Sequence, residues 1–168
     1  VNANDSFYRN GNIYSVYNPY KNVGSLALKG QMHCHSTNSD GEFSPQEVVQ
    51  KYIDTGYDFM TITDHNVITA QPDDIGEMIW LGNAYEDTHT GAGNQHCNVY
   101  ELDEVVGCSG MYVSSNTPES LVSNYITNGK SIICFNHPDD WDVYASEEKL
   151  AGLPKGFAFI ETFNGCDV

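Results

Sequence analysis

The stretch that most constrains this chain is His33-Cys34-His35-Ser36-Thr37-Asn38-Ser39-Asp40-Gly41. The run 25–32 before it is apolar-rich and reads as a strand. Gly41-Glu42-Phe43-Ser44-Pro45 after it reads as a turn into a helix. Side chains at i and i+2 of a strand share a face, so His33 and His35 make a two-armed clamp for a metal ion. Asp40, on the loop, is placed to curl back and add an oxygen ligand. A lone His-x-His pair is common on protein surfaces. What gives this one weight is where the other histidines fall.

From Ser44 the spacing predicts a helix. Ser44 is its cap, Pro45 takes the first helical position, Glu47 completes a capping box and Gly56 is the stop. Val48, Val49, Tyr52 and Ile53 form its apolar stripe. Residues 57–63 then read as a second strand ending at Asp64-His65-Asn66, which makes a parallel βαβ unit. Residues 78–85 read as a strand delivering Glu86, 87–94 as a polar loop, and 96–102 as an alternating strand. A helix over 118–128 carries Thr117 as cap and Leu121, Val122, Tyr125 and Ile126 as its buried face. Residues 131–135 form a buried strand ending at Asn136-His137-Pro138, 147–150 a short helix, and 156–160 a last strand ending at Glu161. His33, His35, Asp64, His65, Glu86, His137 and Glu161 thus all follow an apolar strand, whereas His96 begins one and His89 falls in a loop. In a parallel β/α barrel the carboxyl ends of the strands form the face that carries chemistry. Each residue has a bland reading: His65 as a turn cap, His137 as a backbone-bonded buried histidine, Glu86 as a solvated carboxylate, Glu161 as an ordinary strand end. Jointly, five histidines with Asp40 and Glu86 at strand ends point to a metal cluster. Asp64 is expected to hold His65 in one tautomer rather than to ligate.

Composition narrows the partners. The 168 residues suit one domain, and 40% of them are hydrophobic. Asp and Glu number 23 against 7 Lys and Arg, a formal charge of −16, which argues against a nucleic-acid or anionic-membrane surface. No apolar run is long enough to span a membrane. A phosphate-ester substrate would need metal ions to reverse the local repulsion. The five cysteines (Cys34, Cys97, Cys108, Cys134, Cys166) contain no Cys-x-x-Cys pair, so a zinc ribbon is out. Cys34 and Cys134 read as small buried hydrophobes, and Cys97 and Cys108 could face each other across a turn. Residues 1–24 read as a Tyr- and Asn-rich extended arm, with a short strand near 12–16, laid on a metal-binding domain over 25–168. The chain opens on Val1 without a leader, as a processed or excised piece would. Low Lys with high Tyr, Asn, Ser and Gly leans toward an exported or extracellular protein, with the cytoplasm as the alternative.

These residues resemble the PHP family, named for its polymerase and histidinol phosphatase members. The stretch 33–41 is similar to the family's first motif, Thr63-Asp64-His65-Asn66 to its second and Asn136-His137-Pro138 to its third. Glu86 and His96 fall where the family places a metal-bridging glutamate and a further histidine ligand. Glu161-Thr162-Phe163-Asn164-Gly165 is similar to a strand-end signature of its phosphoesterase branch. The resemblance runs from about Gly30 to the end, and residues 29–33 are similar to exported members. It implies an incomplete distorted (β/α)7 barrel behind the N-terminal arm, and up to three divalent ions, zinc, manganese or iron. His33, His35 and Glu86 would hold the first, Glu86, His96 and His137 the second, Asp40 and His65 the third. Asp64 and Glu86 are the candidate catalytic carboxylates. The implied reaction is hydrolysis of a small phosphate ester by a hydroxide activated between metals.

The chain departs from the family in one place. The family's final motif, an aspartate and a histidine two apart, has no counterpart before Val168. Fewer ions and an exposed sheet edge are then expected. A truncated domain, a covering partner chain and a fold that has lost its reaction all explain this. The alternative to an enzyme is a non-catalytic PHP-fold scaffold that self-assembles through the arm or the open edge and retains a metal ion. A third reading is hydrolysis of a non-phosphate substrate by the same cluster.

Overall fold

The first βα unit forms as its sequence dictates. A computed structural model describes residues 4–9, 11–17, 27–89, 96–126, 131–138 and 150–161. Ahead of that unit, part of the expected arm is an antiparallel hairpin of β1 (Asn4–Arg9) and β2 (Asn12–Tyr17), with Asn4 opposite Tyr17. Then β3 (Gly30–Gln31), α1 (Pro45–Asp54) and β4 (Phe59–Met60) make the parallel crossover, and β5 (Ile79–Trp80) adds in parallel on the far side of β4. The capping box is present: Ser44 N donates to Glu47 Oε2 at 2.9 Å and Glu47 N to Ser44 Oγ at 3.4 Å. Val48 and Val49 are buried against Met60, Ile62 and Met78, each valine contributing on the order of 1.5–3 kcal/mol.

A second sheet, mixed in direction, carries the rest of the core. Its strands are β6 (Ala84–Thr88), β7 (His96–Tyr100), β10 (Ile132–Phe135) and β11 (Phe157–Ile160), in the order β11-β10-β7-β6. Between β7 and β10 come a small hairpin of β8 (Cys108–Gly110) and β9 (Val113–Ser114), then α2 (Pro118–Leu121), which passes directly into a π-helical turn over Val122–Ile126. Tyr85, Cys97, Val99, Leu121, Tyr125, Ile133 and Phe135 form one buried cluster on this sheet. The two sheets meet at one parallel bridge, His65 to Glu86, where Glu86 N donates to Asp64 O (3.1 Å) and Asn66 N to Glu86 O (2.9 Å).

The expected (β/α)7 barrel is not what forms. Such a barrel needs parallel strands joined by helical crossovers. Among the described residues there are two helices, the strands lie in separate small sheets, and β6, β7 and β10 run antiparallel. The single strand expected over 78–85 is in fact two. Leu81-Gly82-Asn83 interrupts it, with Gly82 at φ +91°, so its halves join different sheets. The expected polar loop starts later than 87, because Asp87 and Thr88 are buried strand residues. Most of the short helix expected over 147–150, and the last two residues of the helix expected over 118–128, lie outside the described residues. Cys34, Cys97, Cys108 and Cys134 are all free thiols, so the facing of Cys97 and Cys108 does not become a bridge; Cys166 is outside the described residues.

Candidate metal centre

Where the sheets meet, five imidazoles converge on one carboxylate. Glu86 is fully buried. Its oxygens lie 3.3 Å from His33 Nε2, 3.4 Å from His35 Nε2, 2.9 Å from His65 Nδ1, 3.2 Å from His96 Nδ1 and 3.4 Å from His137 Nε2. Asp40 closes one side, with Oδ2 3.3 Å from His65 Nε2 and Oδ1 3.8 Å from His35 Nδ1. The structure therefore brings together His33, His35, Asp40, His65, Glu86, His96 and His137. His89 joins none of the groups they form.

Each side chain arrives by a local device. His33 and His35 leave the end of β3 on one face, their Nε2 atoms 3.3 Å apart. Cys34 between them is tied to the neighbouring strand, where Thr63 N donates to Cys34 O at 2.9 Å. The loop after them must turn sharply to return Asp40. Gly41 permits this, because a Cβ there would lie 2.6 Å from the His35 carbonyl. Asp64 organises that loop by accepting from Ser36 N, Ser36 Oγ and Ser39 Oγ, each at 2.6 Å, and from Thr69 Oγ1. Its role is thus a correction to the tautomer partner expected for His65. That partner is Thr88, whose Oγ1 is 2.6 Å from His65 Nδ1. The Thr88 hydroxyl donates onward to Glu86 O at 3.3 Å, so it accepts from His65 Nδ1–H and leaves the Nε2 lone pair facing Asp40. His96 looked anomalous because it begins its strand. The antiparallel pairing of β7 with β6, Thr88 opposite His96, resolves that by putting the start of β7 at the ends of β6 and β10.

Glu161 and Asn136 join the centre as well. Both Glu161 carboxylate oxygens are 3.2 Å from His33 Nδ1, and Glu161 Oε2 accepts from His137 N at 3.0 Å. A carboxylate behind an imidazole fixes its tautomer and orients its other nitrogen toward an ion. Asn136 Nδ2 donates to Glu86 Oε1 at 2.8 Å. The strand-end position of Glu161 was visible in the sequence. Thr88 and Asn136 carried no such signal, since neither is a ligand type.

The electrostatics are those of a centre short of positive charge. Burial opposes ionisation of Glu86, yet hydrogen bonds from His137, His33, His65 and His96 hold its carboxyl well below the usual range. Burial likewise opposes protonation of His33, but Glu161 and Glu86 outweigh it and push the imidazole up to about 10. His35 goes the other way: burial lowers it, against the pull of Glu86, with His65 and His33 adding to the lowering. Glu86 Oε2 is buried and faces two imidazole nitrogens, His65 Nδ1 at 2.9 Å and His35 Nε2 at 3.4 Å. A buried carboxylate ringed by nitrogen donors is a ligand set whose natural complement is a cation.

Three groups of ligand atoms are close enough to hold ions: His33, Glu86 and His137; His65, Glu86 and His96; His35, Asp40 and His65. Imidazole and carboxylate donors suit zinc, iron or manganese, and the clusters support divalent metal binding. One imidazole nitrogen serves one ion. His65 stands in two of the groups, its Nδ1 facing Glu86 and Thr88 and its Nε2 facing Asp40, so it can serve either one.

Known proteins bear on the fold more than on the family. No family model matches the chain. A crystal structure from Bifidobacterium adolescentis, described as a "putative metal-dependent phosphoesterase", superposes with a TM-score of 0.60 over 80% of this chain and 77% of its own, at 15% identity. The likeness is one of fold. A 39-residue segment, 23% of this chain, is 51% identical to the DNA polymerase/3'-5' exonuclease PolX of Bacillus subtilis (strain 168). That match spans 7% of the polymerase's length.

Proposed function

We propose that the chain is a metal-dependent phosphoesterase domain of the PHP type that hydrolyses a small phosphate ester at the Glu86 centre. One observation carries the reading: five imidazoles lie within 3.4 Å of one fully buried carboxylate. The fold shared with the Bifidobacterium protein supports it. His33, His35, Asp40, His65, Glu86, His96 and His137 would hold the ions, with Glu86 common to two groups. The ions, when bound, supply Lewis acidity toward phosphoryl oxygens and lower the pKa of water so that it attacks at neutral pH. Glu161 orients His33, Thr88 orients His65, and Asp64 positions the loop that brings His35 and Asp40 to the centre.

Hydrolysis of p-nitrophenyl phosphate and bis(p-nitrophenyl) phosphate tests this. Turnover that is lost on chelation and restored by manganese or zinc is expected. A metal-loaded, folded sample inert toward both esters, and toward a panel of sugar and nucleotide phosphates, would contradict it. A scaffold reading is favoured by a different observation: Phe159 and Ile160 on the outermost strand β11 are 49% and 47% exposed, the kind of apolar edge that recruits a further chain.

A further inference from the structure

Among the described residues the centre is met by no basic side chain other than histidine. A phosphoesterase commonly meets its anionic substrate with Lys or Arg as well as metal, yet no Lys or Arg of the described residues reaches these ligands. Lys29 sits over Tyr57 and bonds Thr55 O, and Lys51 sits over Phe43. One neutral donor that touches a ligand at the partly exposed side of the centre is Tyr112. Its hydroxyl donates to Asp40 Oδ2 at 2.8 Å, and its ring centroid lies 4.9 Å from that of His65.

Tyr112 sits in the turn of the β8–β9 hairpin, and that hairpin is held from beneath. Ser114 Oγ (3.0 Å), Asn116 Nδ2 (2.6 Å) and Cys108 Sγ (3.4 Å) all donate to Asp87 Oδ2, and Tyr85 OH donates there at 3.1 Å. Asn66 Nδ2, one residue from His65, donates to Gly110 O at 2.9 Å. Asp87 follows Glu86 on β6, so side-chain alternation sends one carboxylate to the ions and the next to the hairpin. One strand thereby fixes the distance between the centre and Tyr112. A hairpin needed only to cover a surface would not require a buried carboxylate anchored beside the bridging ligand.

We propose that Tyr112 is a substrate-contacting residue of this centre, its hydroxyl turning its single hydrogen from Asp40 Oδ2 to an oxygen of the phosphoryl group when the ester is bound, with Asp87 as the positioning residue that holds it there. This rests on the phosphoesterase reading and adds to it a neutral phosphate donor. Such a donor discriminates by hydrogen bonding rather than charge, and so suits a substrate recognised at one phosphoryl group rather than by a polyphosphate's charge.

The test uses manganese-loaded chain, with inorganic phosphate as the probe and p-nitrophenyl phosphate as the substrate. Tyr112→Phe keeps the ring and removes the hydroxyl. It is expected to weaken phosphate binding, read by calorimetry, about tenfold, and to lower kcat/KM at least as much, with metal content per chain unchanged. Ser114→Ala, which touches no ligand, loosens the hairpin and is expected to give a smaller loss in the same direction. If Tyr112 only braces Asp40, Tyr112→Phe loses metal and leaves the phosphate affinity of fully loaded protein intact, which overturns the proposal. If the wild-type chain hydrolyses the ester and Tyr112→Phe matches it in phosphate affinity and kcat/KM, the proposal alone fails. If the loaded wild-type chain neither binds phosphate nor turns over ester, the phosphoesterase reading falls and Tyr112's role falls with it.

Discussion

Glu86 and Asp87 are consecutive and both fully buried, yet their surroundings differ in kind. Glu86 faces five imidazoles, groups that accept a proton or give a lone pair to a metal. Asp87 faces a hydroxyl, an amide, a thiol and a phenol, which can only donate hydrogen bonds to it. A ring of groups that exchange protons for metal builds a reactive centre. A ring of fixed neutral donors builds a brace. The alternation of one strand separates the two by a single residue.

Substitution should break that pairing asymmetrically. Glu86→Gln removes the charge common to two ligand groups, and ester turnover should fall about a thousandfold, the equivalent of several kcal/mol of lost charge stabilisation. Metal content per chain should fall with it. Asp87→Ala should leave metal content unchanged while orphaning its donors. That costs about 3 kcal/mol, so the melting temperature of a chain this size should drop by roughly 6–12 °C. Equal effects of both variants on metal content would erase the distinction.

The protonation of the Glu86 side sharpens the comparison. Without metal, His33 is raised from 6.5 to about 10, so at pH 8 it carries a proton that an ion must displace. Loading should release protons at pH 8, and apparent affinity should climb about tenfold per pH unit for each proton displaced, flattening near pH 10. The sign for the metal-free fold is opposite. The stability His33 contributes is full below its unfolded value of 6.5 and is lost as pH rises through about 10. Calorimetric titration with zinc in two buffers of different ionisation enthalpy counts the released protons, and a count of zero would contradict the assignment. Thr88→Val, which takes the hydroxyl from His65 Nδ1, should weaken metal binding about tenfold with little change in melting temperature. The smallest effect is remote. Ser44→Ala removes the α1 cap, costing about 1 kcal/mol, with metal content and turnover unaffected.

Much of the centre was legible in the sequence because ligand chemistry is concentrated in few residue types. Six histidines in 168 residues leave little ambiguity about which could cluster, and His33, His35, His65 and His137 each follow an apolar run. The α1 cap was equally plain, since Ser44, Pro45 and Glu47 act through local geometry alone. The global architecture was not legible in the same way. The βα unit through α1 suggested a repeating parallel pattern, and the connection of seven residues between β6 and β7, too short for a parallel crossover, was the local mark against it. The architecture itself is decided by pairing and by the break at Gly82. The roles of Asp64, Thr88 and Asn136 were hidden for a related reason: what they do depends on neighbours 23 to 50 residues away in sequence.

Metal content per chain, measured by inductively coupled plasma mass spectrometry on protein purified without added metal, tests the central claim most directly. Two or more equivalents of zinc, manganese or iron are expected if Glu86 joins a multinuclear centre. A folded sample that carries none, and takes up none on titration, would contradict a metal centre at Glu86 and leave the scaffold reading in its place.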